Sequence, residues 1–412
     1  MRARTWVLSC FRDVIACHFR PSLRHLGPTH LDVATAWCSG MTTLTRSEAL
    51  EVPFASATPG GVGTRSGGWA WNSPVMILTM APDVYLLILG DHLPNPCTGE
   101  EVSEADRLRA MVEQAVVAEE AGFTGVAIGE HHFTRYIVSA PELLLAAVAA
   151  RTTTLRLSTG VTLLAHRDPV LVAEALATLD VLSRGRAELI VARGVDQQTD
   201  AAFGVRPDEL RARFEEHLRL LLKLLEEPRV SWDGRFRGQL TNVTTTPRPV
   251  QTPHPTVWVG SGSAVSADLC AELQLPLMLP STLRDPMVYR DVVARYRELH
   301  PHGRVGVPSH VFVASEQARE RWRPHLGEYA RFADPWRGDG YIDLDQIMEG
   351  AAICGSPGEV ADRLNALAAE LTIDTHLVMV DIGGMPHESV VDTIRLFGTE
   401  VLPRLNGHAA EG

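Results

Sequence analysis

A parallel (β/α)8 TIM barrel with insertions is the fold class this chain predicts, and three observations carry it. From Val84 onward, short apolar strands alternate with amphipathic helices through eight strands. Polar residues gather where strands stop, with Glu130-His131-His132 after one and Arg193-Gly194 after another. In such a barrel these strand ends form the active-site face. No G-x-G-x-x-G lies between the first strand and the first helix, so a doubly wound open sheet lacks its dinucleotide signature.

The elements follow in order. Val84 to Leu89 is an apolar strand, and Ser103 N-caps a helix to about Ala121, stopped by Gly122. Strand two is Thr124 to Gly129, followed by an Ala/Leu helix from Ala140 to Arg151. Strand three runs from Leu155 to Leu163, and its helix from Val170 to Leu182 closes at Ser183-Arg184-Gly185. Strand four is Glu188 to Ala192. A long helix from Pro207 to Glu226 is apolar at Leu210, Phe214, Leu218, Leu221 and Leu225. Between Val230 and Val250 the rhythm breaks for a hairpin at Trp232 to Phe236, and later prolines forbid a helix. Strands Thr256 to Gly260, Pro276 to Leu279 and Val305 to Ala314 resume the alternation, with helices at Ala264 to Leu273 and Pro286 to Leu299. A helical insertion spans Glu316 to Ile353, and Ser356 starts a helix through Leu371. Strand His376 to Val380 and helix Ser389 to Leu402 close the series.

Residues 1–75 behave differently. Seven arginines against four acids leave them at +3, so the remainder of a chain of net charge −12 carries −15. No helical or alternating period lasts there, and the segment ends in a Gly/Ser-rich run. It reads as a disordered extension, or as upstream sequence preceding a true start at Met76 or Met80. Residues 76–412 then form the barrel domain.

Composition narrows the function. The acidic balance argues against nucleic-acid binding, which needs a basic face. No apolar run approaches the roughly 20 residues of a membrane span. Six scattered cysteines without a C-x-x-C pair fit free thiols in a reducing cytoplasm. Cys97, Cys270 and Cys354 read as passive, and Asp168 and Asp180 as structural.

The chemistry concentrates at strand ends. Imidazole exchanges protons near neutral pH, which makes His131 the first candidate for acid-base work and His132 the second. Two adjacent histidines seldom ligate one ion, so no metal is expected. Arg193-Gly194, Arg211 and Ser261-Gly262-Ser263 occupy neighbouring loops, where forked guanidinium groups and a helix N-terminus would seat a phosphate. Gly160-Val161 would lie flat against a planar ring. Phe133 and Val138 would give the mouth apolar character, and His310 and Asp381 are further candidates to reach it.

At these residues the chain resembles the bacterial luciferase-like flavin monooxygenase family. The matching runs include Gly129-Glu130-His131-His132-Phe133, Leu155 to Val161, Thr178-Leu179-Asp180-Val181-Leu182-Ser183-Arg184-Gly185-Arg186, and Cys354 to Val360. The resemblance implies a two-component monooxygenase. Reduced FMN would come from a separate NAD(P)H-dependent flavin reductase, and O2 would oxygenate a small organic substrate through a flavin peroxide. It implies His131 as the proton-transfer histidine, and Gly160, Val161, Arg193, Arg211, Ser263 and Ser266 as cofactor contacts. It also implies a non-proline cis peptide at Gly160-Val161 and a homodimer. A branch of the family uses F420 in dehydrogenases or reductases, and some relatives bind flavin without catalysis. True luciferases carry a reactive cysteine where this chain has Ala192, so light emission is not implied.

Overall fold

The computed structural model describes residues 81–406, apart from Val195, residues 281–282 and residues 338–342. The expectation for residues 1–75 lies outside the described residues.

The strands form as their apolar runs require. β1 (Asp83–Ile88), β2 (Gly125–Ile128), β3 (Arg156–Thr159), β5 (Ala187–Ala192), β8 (Val257–Gly260), β9 (Leu277–Met278), β10 (Val305–Val313) and β12 (Thr375–Met379) pair in parallel in that order. β12 then pairs back onto β1, so the ring of eight closes and keeps no free edge. Helices cover its outside: α1 (Glu104–Glu120), α2 (Pro141–Ala149), α3 (Pro169–Ser183), α5 (Leu210–Glu226), α6 (Ala264–Glu272), α7 (Arg290–Leu299), α10 (Pro357–Leu371) and α11 (His387–Leu396). Smaller elements complete the chain: β4 (Thr162–Leu163), α4 (Gln197–Ala202), the antiparallel pair β6 (Val230–Trp232) and β7 (Leu240–Val243), α8 (Ala318–Arg337), α9 (Leu344–Glu349) and β11 (Ala352–Gly355).

Helix ends follow the capping residues. Ser103 accepts from the Asp106 N–H at 3.1 Å, and Asp168 accepts from Val170 at 2.9 Å. Ser356 and Glu359 close a full capping box on α10. Asp180 is structural as expected, because its carboxylate accepts from the backbone of Val250 and Gln251 and from the Gln251 side chain. Cys270 and Cys354 are buried free thiols pushed up to about 12 by burial, which suits passive packing.

Four expectations need correction. The third strand is not continuous, because the Gly160-Val161 peptide is cis and splits it into β3 and β4. The helix expected from Pro207 begins at Leu210, after a turn and the unforeseen α4. The insertion after β10 contains β11 as well as helices; four apolar residues beside Gly350 gave too short a pattern to identify. β11 pairs with the last residues of β10, from His310 onward, while β9 pairs with the first two. Pro308, which has no N–H to donate, falls between these pairings. The last helix starts at His387 and changes pitch at Phe397.

A buried charge cluster locks the seam where the first and last strands meet. Arg107 of α1 donates to the Asp91 carbonyl at 2.9 Å and pairs with Asp381, and Gln114 donates to Asp381 at 2.6 Å. Asp91 also lies 3.8 Å from Arg107 and accepts from the Gly383 N–H at 2.8 Å. Burial pushes the Asp91 carboxyl up to about 6, against the lowering effect of Arg107. Asp381 is therefore a structural partner and does not line the mouth.

Two outcomes follow. Arg107→Met leaves two buried carboxylates without their cation, so it should cost roughly 3–5 kcal/mol in denaturant unfolding. His376 is fully enclosed, and burial holds its pKa down to about 4. As pH falls through about 6.5 the unfolded chain takes up this proton first, so stability falls. Between pH 7 and 5 that loss is about 2 kcal/mol, and His376→Leu should remove it from the acid limb of the stability curve.

Candidate active site

Eight of the residues singled out in the sequence meet in one place. His131, His132, Gly160, Val161, Arg193, Arg211, Ser263 and Ser266 all line a cavity of about 650 Å³ at the C-terminal ends of the strands. That volume suits a cofactor or small ligand.

Local backbone explains how His131 is presented. After β2 the chain doubles back antiparallel on the residues following β1. His131 N–H donates to the Val138 carbonyl at 2.9 Å, Ile137 to Gly90 at 2.9 Å, and His92 to Arg135 at 2.8 Å. The return brings Tyr136 against His131, with the rings stacked at 3.9 Å. His131 Nδ1 is enclosed without a hydrogen-bond partner. Burial holds the His131 pKa down to about 4, opposed by nearby Glu130, so the imidazole is neutral at physiological pH. His132 is held differently, its Nε2 lying 3.0 Å from Glu130 Oε1. Glu130 is buried and also accepts from Arg167 at 3.3 Å and from the Leu163 N–H at 3.2 Å. Phe133 and Val138 do not line the cavity. Phe133 has φ of 57° and turns outward toward Phe203, while Val138 packs beneath Gly90.

Arginines and hydroxyls gather on the loops after β5 and β8. Arg193 follows β5 at a turn where Gly194 has φ of +86°. A Cβ on Gly194 would lie 2.9 Å from the His166 ring, so only glycine fits. His166 is fixed in turn by Asp200, Nε2 to Oδ1 at 2.7 Å. Neither Arg193 nor Arg211 has a hydrogen bond or ion pair among the described residues, so both forks are available. Ser263 N-caps α6, and its Oγ lies 3.0 Å from Ser266 Oγ. At Gly160 a Cβ would come 3.0 Å from both Ala127 and Leu87, so a side chain there would crowd the packed wall.

Sequence reasoning missed His166, Asp200, Tyr136 and Tyr329. Tyr329 reaches the cavity from α8 and shares a 2.9 Å hydrogen bond with the Tyr136 hydroxyl. Nothing local marks His166, Asp200 and Tyr329, because each acts through a partner distant in the chain. The doubled-back segment after His131 was the one signal available for Tyr136. His310 was expected among the candidates and does line the cavity. No group of three His, Cys, Asp or Glu side chains among the described residues is placed to hold a metal ion, and no helix there is long and apolar enough to cross a membrane.

Comparison with known proteins gives a consistent result. A family model described as luciferase-like monooxygenase matches residues 87–375. The N-acetyl-S-alkylcysteine monooxygenase of Bacillus subtilis is 32% identical over 176 residues, which cover 42% of this chain and 51% of that protein. The FMNH(2)-dependent dimethylsulfone monooxygenase of Pseudomonas putida is 25% identical over 265 residues, covering 57% and 70%. The chain spans about half the length of the first curated relatives it matches. Among solved structures, monooxygenase RslO1 from Streptomyces bottropensis superposes with a TM-score of 0.70 at 27% identity, covering 78% of this chain and 99% of that one. The coenzyme F420-dependent tetrahydromethanopterin reductase from Methanopyrus kandleri shares the fold, with a TM-score of 0.58 at 18% identity and coverage of 79% and 100%.

The His131 ring should titrate near pH 4 in a histidine proton NMR series, far below an ordinary imidazole. Glu130→Gln removes the one nearby charge that favours the cation most, so the midpoint should fall further. A midpoint near 6.5 would contradict the buried, neutral assignment.

Proposed function

The chain belongs to the luciferase-like monooxygenase family, and from that premise we propose that it is a two-component monooxygenase acting on a small organic substrate with reduced FMN and O2. A separate NAD(P)H-dependent reductase would supply the FMN. One observation carries this reading: two unpaired arginines, a capped helix N-terminus and a neutral histidine line the same cavity.

The residues present fit such a cofactor. Arg193 and Arg211 supply unpaired guanidinium forks for phosphate oxygens, and the N-terminus of α6 with Ser263 and Ser266 supplies hydroxyl and backbone donors. Gly160, without a side chain, and Val161 line the cavity and would offer a surface for a planar ring. Bound reduced flavin would supply the electrons that activate O2. Neutral His131 can accept a proton at a ring nitrogen and return it. Glu130 holds the neighbouring His132 in one orientation. Apolar walls at Leu87, Met278 and Leu377 keep water from the reacting groups.

A second reading is an F420-dependent dehydrogenase or reductase, favoured by the shared fold of an F420-dependent structure. A homodimer in the cytoplasm is the proposed state. Leu143 on α2 and Leu171 on α3 are 72% and 62% exposed, and a second copy would cover such side chains.

Titration with reduced FMN, riboflavin and reduced F420 separates these readings. FMN should bind at least tenfold more tightly than riboflavin, which lacks the phosphate. Arg193→Ala and Arg211→Ala should each weaken FMN about tenfold while leaving riboflavin within about twofold. Tight binding of F420 with none of FMN would replace the first reading by the second.

A further inference from the structure

The cavity has two chemically distinct halves. In the ring of eight strands, β5 stands opposite β12, and β8 stands opposite β1. The segments after β5 and β8, including the first turns of α5 and α6, bring Arg193, Arg211, Ser263 and Ser266. The facing half is built from Leu87 of β1, Pro308 and His310 of β10, Leu377 of β12 and Tyr329 of α8. Among the described residues, no lining side chain contributed by these four elements carries a formal charge except through protonation of His310. The charged lining side chains come from elsewhere: Glu130 after β2, the β5–α5 segment, and Arg284 after β9. Asp91 and Arg107 lie outside the lining, and Arg107 pairs with both Asp91 and Asp381.

One polar group interrupts this apolar half. His310 is 2% exposed, and its Nε2 is enclosed without a hydrogen-bond partner. Its ring lies 5.4 Å from that of Tyr329, whose hydroxyl is engaged by Tyr136. A buried polar group without a partner is costly and calls for an explanation, and a ligand that meets it is one.

We propose that the half built by β1, β10, β12 and α8 is the substrate pocket, and that it takes a neutral, largely apolar molecule whose single carbonyl or hydroxyl oxygen hydrogen-bonds to His310. The proposal rests on the flavin reading only in giving the opposite half to the cofactor. Burial holds the His310 pKa down to about 3, so the ring offers one donor and one acceptor but no charge. A carboxylate or ammonium substrate would meet no counter-ion among the described residues of this half and would lose its hydration. A hydrocarbon would fill the space yet leave the imidazole unmet. An oxygen-bearing neutral molecule satisfies both conditions.

The test uses three probes of one shape: a decalone, its isostere with CH2 in place of the carbonyl oxygen, and the matching decalin carboxylate. Each is titrated by calorimetry into the whole protein, with and without saturating FMN, while histidine ring nitrogen resonances are followed in labelled protein. The decalone should bind about five- to tenfold more tightly than its CH2 isostere, and the carboxylate most weakly. His310→Phe should reduce the decalone preference to within about twofold, and His310→Gln, which keeps a donor, should restore part of it. The resonance lost in these variants should be the one that moves with decalone. A carboxylate that binds as well as the decalone overturns the proposal, as does absence of decalone binding or a preference that survives His310→Phe. If His310→Phe does not fold, the wild-type ranking and the His310→Gln resonance still decide. Failure to bind FMN with the decalone preference intact sinks the flavin reading alone, and the reverse result sinks this proposal alone.

Discussion

The mouth of this barrel depends on the buried cation of Arg107. The first and last strands meet there, and the guanidinium bonds the chain leaving each of them, at Asp91 and at Asp381. The lock extends outward. Asp91 accepts from Gly383, whose carbonyl meets His325 Nδ1 at 2.9 Å on α8. The same helix carries Tyr329, which bonds Tyr136, and Tyr136 stacks on His131. A chain of direct contacts thus runs from the closure of the sheet to the candidate catalytic histidine. Buried ion pairs are weak evidence of net stability, but this one fixes where several loops stand relative to one another.

The same economy governs the opposite rim. His166 is held by Asp200 and fills the space where any Cβ on Gly194 would go. The turn bearing Arg193 is therefore set by a side chain from the preceding β-α unit. Both rims rely on side chains that reach the site from distant parts of the chain and are locked by hydrogen bonds of their own, which is the usual way a site is held to fixed geometry.

Much of this was legible in the residues themselves. The eight strands follow from apolar runs bounded by glycine and proline, and the strand-end positions of His131 and Arg193 follow from those boundaries. Ser263 announces a helix start by its chemistry, whereas the cis bond at Gly160-Val161 follows from the family resemblance and not from the residues alone. Other features were hidden for physical reasons. β11 is four residues long and exists because β10 has unpaired length beyond β9. Phe133 read as a mouth residue, but its left-handed backbone turns it outward. Tyr329 and Asp200 matter through partners 193 and 34 positions away, and no local period records such pairings.

The position of α8 has an evolutionary consequence. It enters after β10 and returns through α9 to β11, so exchanging it leaves the closed ladder of eight strands untouched. Tyr329 would travel with it, while the arginines and serines across the barrel would stay. Related chains could then keep the closed ring and its arginine-bearing side while reshaping the opposite wall of the cavity by rewriting a single segment.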